Sequence, residues 1–284
     1  MKLLVLGATG MAGHLIALYL KKANHDVTTF SRHKFDYCHS IVGDATDFSL
    51  LKKLIMEGNY DGVINAIGIL NSQAEAHKST ATLINSYLPH FLSEITQDTK
   101  TKIIHMSTDC VFSGKTGGYT ETSLKDGATF YDRTKALGEL DNRKDLTFRN
   151  SIIGPDLNPE GIGLFNWFMK QNGEIKGYTQ AIWTGVTTLT LSKAIEQALL
   201  EELTGLYHLV NEETINKFDL LNLFNKQLKE NTLNIVPDHQ LSIDKSLINN
   251  RRDFSFVVPT YEEMVIEMKA WISDHKILYP HYFN

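Results

Sequence analysis

Short runs rich in apolar and β-branched residues alternate with stretches of helical spacing along the first half of the chain. Lys2–Leu6, Val27–Phe30, Gly62–Ile69, Lys102–Met106 and Leu146–Ile153 are predicted as strands, with a further strand ending at Ile41-Val42. His14–Lys22, the stretch from Phe48, Glu75–Thr96 and the segment around Tyr131 carry helical periodicity, and Pro89 predicts a kink within the third. Strands alternating with helices require right-handed crossovers, so the expected fold is α/β with a doubly wound parallel sheet. Beyond Gly154 the pattern loosens. A loop over Pro155–Gly163 precedes helices at Leu164–Gln171, Thr187–Glu202, Phe218–Glu230 and Tyr261–His275, with a strand at Leu206–Val210. Residues 1–154 are expected to form a nucleotide-binding domain. Residues 155–284 are expected to form mainly a smaller mixed α/β lobe closing over the strand ends, with segments near 182–210 returning to the first domain.

Composition narrows the classes. The chain has 284 residues, 42% hydrophobic and 21% charged, the profile of a soluble globular protein with room for one large core. A net charge of −5 and the lack of a long basic run argue against a nucleic-acid partner. Met1 leads directly into a strand-like run, and no apolar stretch reaches the ~20 residues that span a bilayer, so neither an export leader nor a membrane anchor is expected. Two cysteines, Cys38 and Cys110, are too few for a disulfide framework or a structural zinc site. A reducing cytoplasm fits, and no metal centre is expected.

The first strand runs into Gly7-Ala-Thr9-Gly10-Met11-Ala12-Gly13 and then a helix. In that context Gly7 permits the sharp turn, Gly10 lets backbone approach a pyrophosphate, and Gly13 lets helix and strand pack closely. The N–H groups opening the helix would face the phosphates. The second strand ends Phe30-Ser31-Arg32, where a carboxylate would select NAD through the ribose hydroxyl; serine and arginine suit a 2′-phosphate, so NADP(H) is expected over NAD(H). Asp44, beside Ala45, is available to the adenine amino group, and Asp47 can cap the following helix. Asn65-Ala66-Ile67-Gly68 closes the fourth strand with residues small enough for a cofactor to lie against.

Tyr131 and Lys135 stand four apart, on one face of a helix. An ammonium beside a phenol lowers its pKa and makes it a usable proton donor or acceptor. Thr108, at the C-terminal end of the fifth strand, can hold a carbonyl oxygen opposite it. By itself the Tyr-x-x-x-Lys spacing is weak, and an ordinary helix has it by chance; the glycine turn and Thr108 give it a setting. Arg251-Arg252 is either a solvated pair or a contact for a diphosphate.

Taken together, Gly7-x-x-Gly10-x-x-Gly13, Asn65-Ala66, Ser107-Thr108-Asp109-x-Val111-Phe112-x-Gly114 and Tyr131-x-x-Thr134-Lys135-x-x-Gly138-Glu139 resemble the extended short-chain dehydrogenase/reductases, most nearly the dTDP-4-dehydrorhamnose reductase branch. Thr184-Gly-Val-Thr and Asp244-Lys-Ser-Leu match the branch more loosely. The resemblance implies an NAD(P)H-dependent reduction at C4 of a nucleoside-diphosphate 6-deoxy-4-ketohexose in deoxysugar or surface-polysaccharide precursor synthesis. Thr108 and Tyr131 would hold the keto oxygen and Lys135 the nicotinamide ribose; a homodimer is compatible with such a fold. Cys110 and Ile152 stand where the rhamnose enzymes usually carry aromatic rings. With Trp183 they would shape a sugar pocket suited to a related substrate, such as one bulkier at C2.

Cys110 also falls on the position of an epimerising cysteine in GDP-fucose synthases, which pair it with a histidine; none lies between Arg149 and Tyr207. A 4,6-dehydratase would need a glutamate where Cys110 stands. A third alternative is a non-catalytic NADP-binding regulatory subunit, like the β subunit of methionine adenosyltransferase. The presence of Thr108, Tyr131 and Lys135 argues for catalysis.

Overall fold

The computed structural model describes residues 1–283; Asn284, the last residue assigned to the C-terminal lobe, lies outside them. The strands are β1 (Lys2–Leu6), β2 (Asp26–Ser31), β3 (His39–Val42), β4 (Gly62–Asn65), β5 (Lys102–Thr108), β6 (Leu146–Asn150), β7 (Ile152–Ile153), β8 (Glu174–Trp183), β9 (Val186–Thr187), β10 (Gly205–His208), β11 (Ile215–Asn216) and β12 (Asn234–Asp244). The α-helices are α1 (Met11–Lys22), α2 (Phe48–Gly58), α3 (Asn71–Ala76), α4 (Lys78–Ala81), α5 (Leu88–Ile95), α6 (Phe130–Leu137), α7 (Leu164–Met169), α8 (Thr188–Leu200), α9 (Lys217–Leu228) and α10 (Tyr261–Asp274).

Seven strands form one parallel sheet in the order β10-β6-β5-β4-β1-β2-β3. This is the doubly wound α/β arrangement, and its strand order reverses between β1 and β4, where ligands bind in such sheets. Leu3, Leu4, Val5 and Leu6 are all fully buried because β1 is covered on both faces. On one face Leu3 and Val5 pack with Leu15 and Ile16 of α1 and Ile195 of α8. On the other, Leu4 and Leu6 pack with Leu51 of α2 and Leu92 of α5. A second, three-stranded sheet, β11-β8-β12, carries α9 beside it. No helix among the described residues is long and apolar enough to cross a membrane.

Three expectations need correction. The single helix expected over Glu75–Thr96 is broken at His77 and passes through a π-helical turn, Thr82–Tyr87, before α5. Pro89 falls at the start of α5, directly after the π-helical turn, and not inside a regular helix. The strand expected over Leu146–Ile153 is interrupted at Ser151, so β7 pairs with β9 in a separate two-stranded sheet. The stretch between Gln171 and Thr187, to which periodicity assigned no element, contains β8, whose alternating burial is the mark of a half-exposed strand.

Candidate active site

Gly7 follows β1 with φ +86°, a conformation glycine adopts without strain, and its N–H bonds to the Phe30 carbonyl. A Cβ on Gly13 would sit 2.2 Å from the Gly7 carbonyl oxygen, so α1 reaches the turn only because position 13 is glycine. Gly10 caps α1, leaving the N–H groups of Met11, Ala12 and Gly13 without partners inside the helix. These groups open beside a cleft of about 310 Å³ lined by Gly7, Thr9, Gly10, Ser31, Arg32, Asp44, Ala45, Ala66, Ile67 and Gly68. His14 ties the turn to the C-terminal tail, one ring nitrogen on the Gly10 carbonyl and the other on the Tyr279 hydroxyl; burial lowers its pKa to about 4 and keeps it neutral.

Within the cleft, Arg32 is exposed and its charge reaches Asp44. The Asp44 carboxylate accepts from both the N–H and the hydroxyl of Thr46, which hold it below the usual range. The Ser31 hydroxyl donates to the His33 carbonyl, so it serves its own turn. Asn65 does not line the cleft. It is fully buried between β4 and β5, accepting from the Ile67 N–H and bonding His105.

Three elements bring the chemistry together. Thr108 ends β5, its hydroxyl donating to Asp109 and accepting from the Cys110 N–H. Tyr131 and the Cys110 thiol lie near enough to this hydroxyl for it to oppose the rise in both their pKa values. Helix α6 starts on a reciprocal cap between Thr129 and Asp132. It docks on the π-helical turn: Asn85 bonds the Thr134 hydroxyl and Ser86 the Thr134 carbonyl. A Cβ on Gly138 would lie 1.9 Å from the Asn85 carbonyl oxygen, so only glycine permits this approach. Beneath, Glu139 accepts from Ser107 (2.6 Å) and takes a bidentate fork from Arg149, which also meets His208. The strand that ends in Thr108 and the helix that carries Tyr131 are thereby locked to one buried carboxylate.

The electrostatics differ from the sequence expectation. Tyr131 is buried, and burial raises its pKa above the ordinary phenol value, with Cys110 adding to the effect and Thr108 opposing it. Lys135 does not lower it: the Nζ turns away to the Met106 carbonyl (2.6 Å) and His105 (3.4 Å). Burial lowers Lys135 to about 8, against an opposing pull from Glu139. Tyr131 is therefore a neutral phenol at pH 7, the form that can donate a proton. Cys110 is pushed up to about 11 by burial and by Asp109, a neutral thiol with no histidine among the groups acting on it.

Of the expected substrate contacts, Cys110 adjoins Tyr131, and Ile152 packs at the edge of the core. Trp183 is 3% exposed, and the ammonium of Lys217 lies 4.5 Å from its ring centroid. Lys217 opens α9 and feels Asp109 and Cys110; burial lowers it to about 8. No sequence signal singled it out, since a lysine opening an amphipathic helix reads as solvent-facing. Arg251 is not at the site. Its fork is occupied by Asp253 and by the carbonyls of Thr204 and Leu206, at the start of β10 and away from the sheet edge that carries Thr108. There it shields an edge strand. Arg252 reaches only the Asn249 carbonyl and lines a surface groove with Tyr207 and Phe254.

The doubly wound sheet and the glycine turn are those of a dinucleotide-binding fold. A family model described as RmlD substrate binding domain matches residues 1–155, more than half of the chain, and the chain belongs to that family. It is 29% identical over 138 residues to a dTDP-4-keto-6-deoxy-D-glucose reductase of Streptomyces niveus, covering 48% of this chain and 45% of that one. A dTDP-4-dehydrorhamnose reductase of Salmonella typhimurium is 26% identical over 289 residues, covering 92% and 95%. The chain spans about half the length of the first curated relatives it matches, 45% and 46%. The fold superposes on a dTDP-4-dehydrorhamnose reductase of Bacillus anthracis solved in complex with NADP, with TM-score 0.80, 21% identity and coverage of 95% and 99%.

Proposed function

We infer that this chain is an NAD(P)H-dependent reductase acting on the C4 keto group of a nucleoside-diphosphate 6-deoxy-4-ketohexose. The observation that carries the reading is that Tyr131 of α6 lies beside Thr108 at the end of β5, with Lys135 one helical turn on and bonded to the Met106 carbonyl of that strand, in the same parallel sheet whose first strand leads into a glycine turn and its cleft. The residues fit a dinucleotide. The N–H groups of Met11, Ala12 and Gly13 suit its pyrophosphate. Arg32, exposed at the end of β2, suits a 2′-phosphate and supports NADP(H) over NAD(H). Bound there, the nicotinamide supplies the hydride. Thr108 and Tyr131 hold the keto oxygen, and Tyr131 gives it the proton. Lys135 is within one helical turn to hold ribose hydroxyls and to reprotonate Tyr131. Cys110 and Ile152, standing where rings were expected, support a sugar bulkier at C2, and the two free thiols suit a reducing compartment. The neutral Cys110 thiol, with no histidine acting on it, counts against an epimerising role.

The test is NADPH oxidation followed by absorbance with a panel of 4-keto sugar nucleotides. Tyr131→Phe is expected to lose 10²-fold or more of kcat, with cofactor affinity nearly unchanged. Turnover in that variant equal to wild type overturns the reading.

A further inference from the structure

A buried chain of hydrogen bonds runs behind Lys135, and its direction is set by the groups at its two ends. The Ile67 N–H can only donate, and it points to Asn65 Oδ1 at 3.2 Å. That fixes the Asn65 amide, whose Nδ2 then donates to His105 Nδ1 at 3.2 Å. A His105 Nδ1 that accepts carries no proton, so in the neutral ring the proton sits on Nε2. His105 Nε2 lies 3.4 Å from Lys135 Nζ. The Lys135 Nζ donates onward to the Met106 carbonyl at 2.6 Å. An N–H facing an ammonium has no acceptor; an N–H facing an amine has its lone pair. We propose that His105 is a positioning residue, held in its Nε2–H form by Asn65, that presents a donor to Lys135 and so favours the neutral amine of that side chain.

The surroundings agree. His105 is fully buried and burial holds it neutral, with Lys135 and then His90 adding to that. The titratable groups bearing on the pair are His90 from α5, acting on His105, and Glu139, just past the end of α6, which favours the Lys135 ammonium. His105 opposes Glu139, leaving Lys135 able to gain and lose a proton near neutral pH. In the reductase reading, on which this consequence rests, a Lys135 so balanced can pass a proton to Tyr131 after Tyr131 has protonated the product oxygen. Asn65, expected to touch cofactor, thereby acts through two side chains instead.

The test reads the ligand-free protein and so fails or succeeds apart from the reductase reading. In wild-type protein labelled with ¹⁵N-histidine, long-range ¹⁵N–¹H spectra report which ring nitrogen of His105 is protonated. Nε2–H is expected; Nδ1–H overturns the proposal. The second measurement is the titration of Lys135 in ¹³Cε-lysine-labelled protein. His105→Leu is expected to move its midpoint up by about one pKa unit, tenfold in proton affinity, and His105→Gln, which keeps a donor, to stay near wild type. Should the leucine variant not fold, Asn65→Asp is read instead. Its carboxylate calls the ring proton to Nδ1, turns the Nε2 lone pair toward Lys135 and raises the midpoint. A midpoint unmoved in the folded variant overturns the proposal.

Discussion

Arg149 and Glu139 form a buried two-pronged pair, Nε to Oε1 at 2.8 Å and Nη2 to Oε2 at 2.7 Å, with side chains 1% and 2% exposed. The same Oε1 accepts from Ser107, next to Thr108, and Glu139 continues the helix face of Lys135. Glu139→Ala leaves an arginine buried without its carboxylate and is expected to cost about 3–5 kcal/mol. Denaturant unfolding at pH 7 measures this. Arg149 holds the folded-state pKa of Glu139 below its unfolded value against the penalty of burial. Its contribution is therefore full above the unfolded carboxyl range and is lost as pH falls through the folded pKa. The gap between wild type and variant should narrow in acid; a gap that is flat with pH contradicts the assignment.

Gly138 lies where a methyl group would strike the Asn85 carbonyl at 1.9 Å. Gly138→Ala should destabilise by about 1–3 kcal/mol and shift α6, lowering kcat more than it weakens cofactor binding. Retention of both melting temperature and kcat would remove the close contact as a determinant of the site.

Lys217 is expected to show the opposing demands of function and stability. Burial disfavours its ammonium, so the unfolded chain binds more protons than the folded one between about pH 8 and the free lysine pKa. Stability from this group rises with pH across that window. Lys217→Met should stabilise the protein at pH 7, on the order of 1–3 kcal/mol, with the gain fading toward pH 10. It should also raise KM for an anionic sugar nucleotide about tenfold or more. Melting curves at pH 7 and 10 and initial rates test both halves.

Arg32 stands exposed at the end of β2, facing Asp44 across the cleft. Arg32→Ala should raise KM for NADPH about 10- to 100-fold, as for loss of a charge-assisted contact, and leave KM for NADH within about twofold. Equal effects on both cofactors would take Arg32 away from the 2′-phosphate.

The seven-stranded core was readable because buried parallel strands need long apolar or β-branched runs, as in Leu3–Leu6. The glycines announce themselves, since Gly7, Gly13 and Gly138 stand where no other residue fits. The small sheet was not readable. Its strand β12 is largely exposed and carries little apolar alternation.

What sequence alone determined was therefore the order of the buried parallel strands and their helices, and it nominated the Thr108, Tyr131 and Lys135 set. Periodicity and spacing act locally, within a strand or a helical turn. Tertiary structure decided how those groups behave. Burial, not Lys135, sets Tyr131. Residues 40 and 30 positions away in sequence, Asn65 and Lys135, meet the two sides of the His105 ring. Arg251 turns to a strand edge because the carbonyls of Thr204 and Leu206 lie within its reach. Desolvation and hydrogen-bond direction depend on which distant residues share a space, and only the fold brings them there.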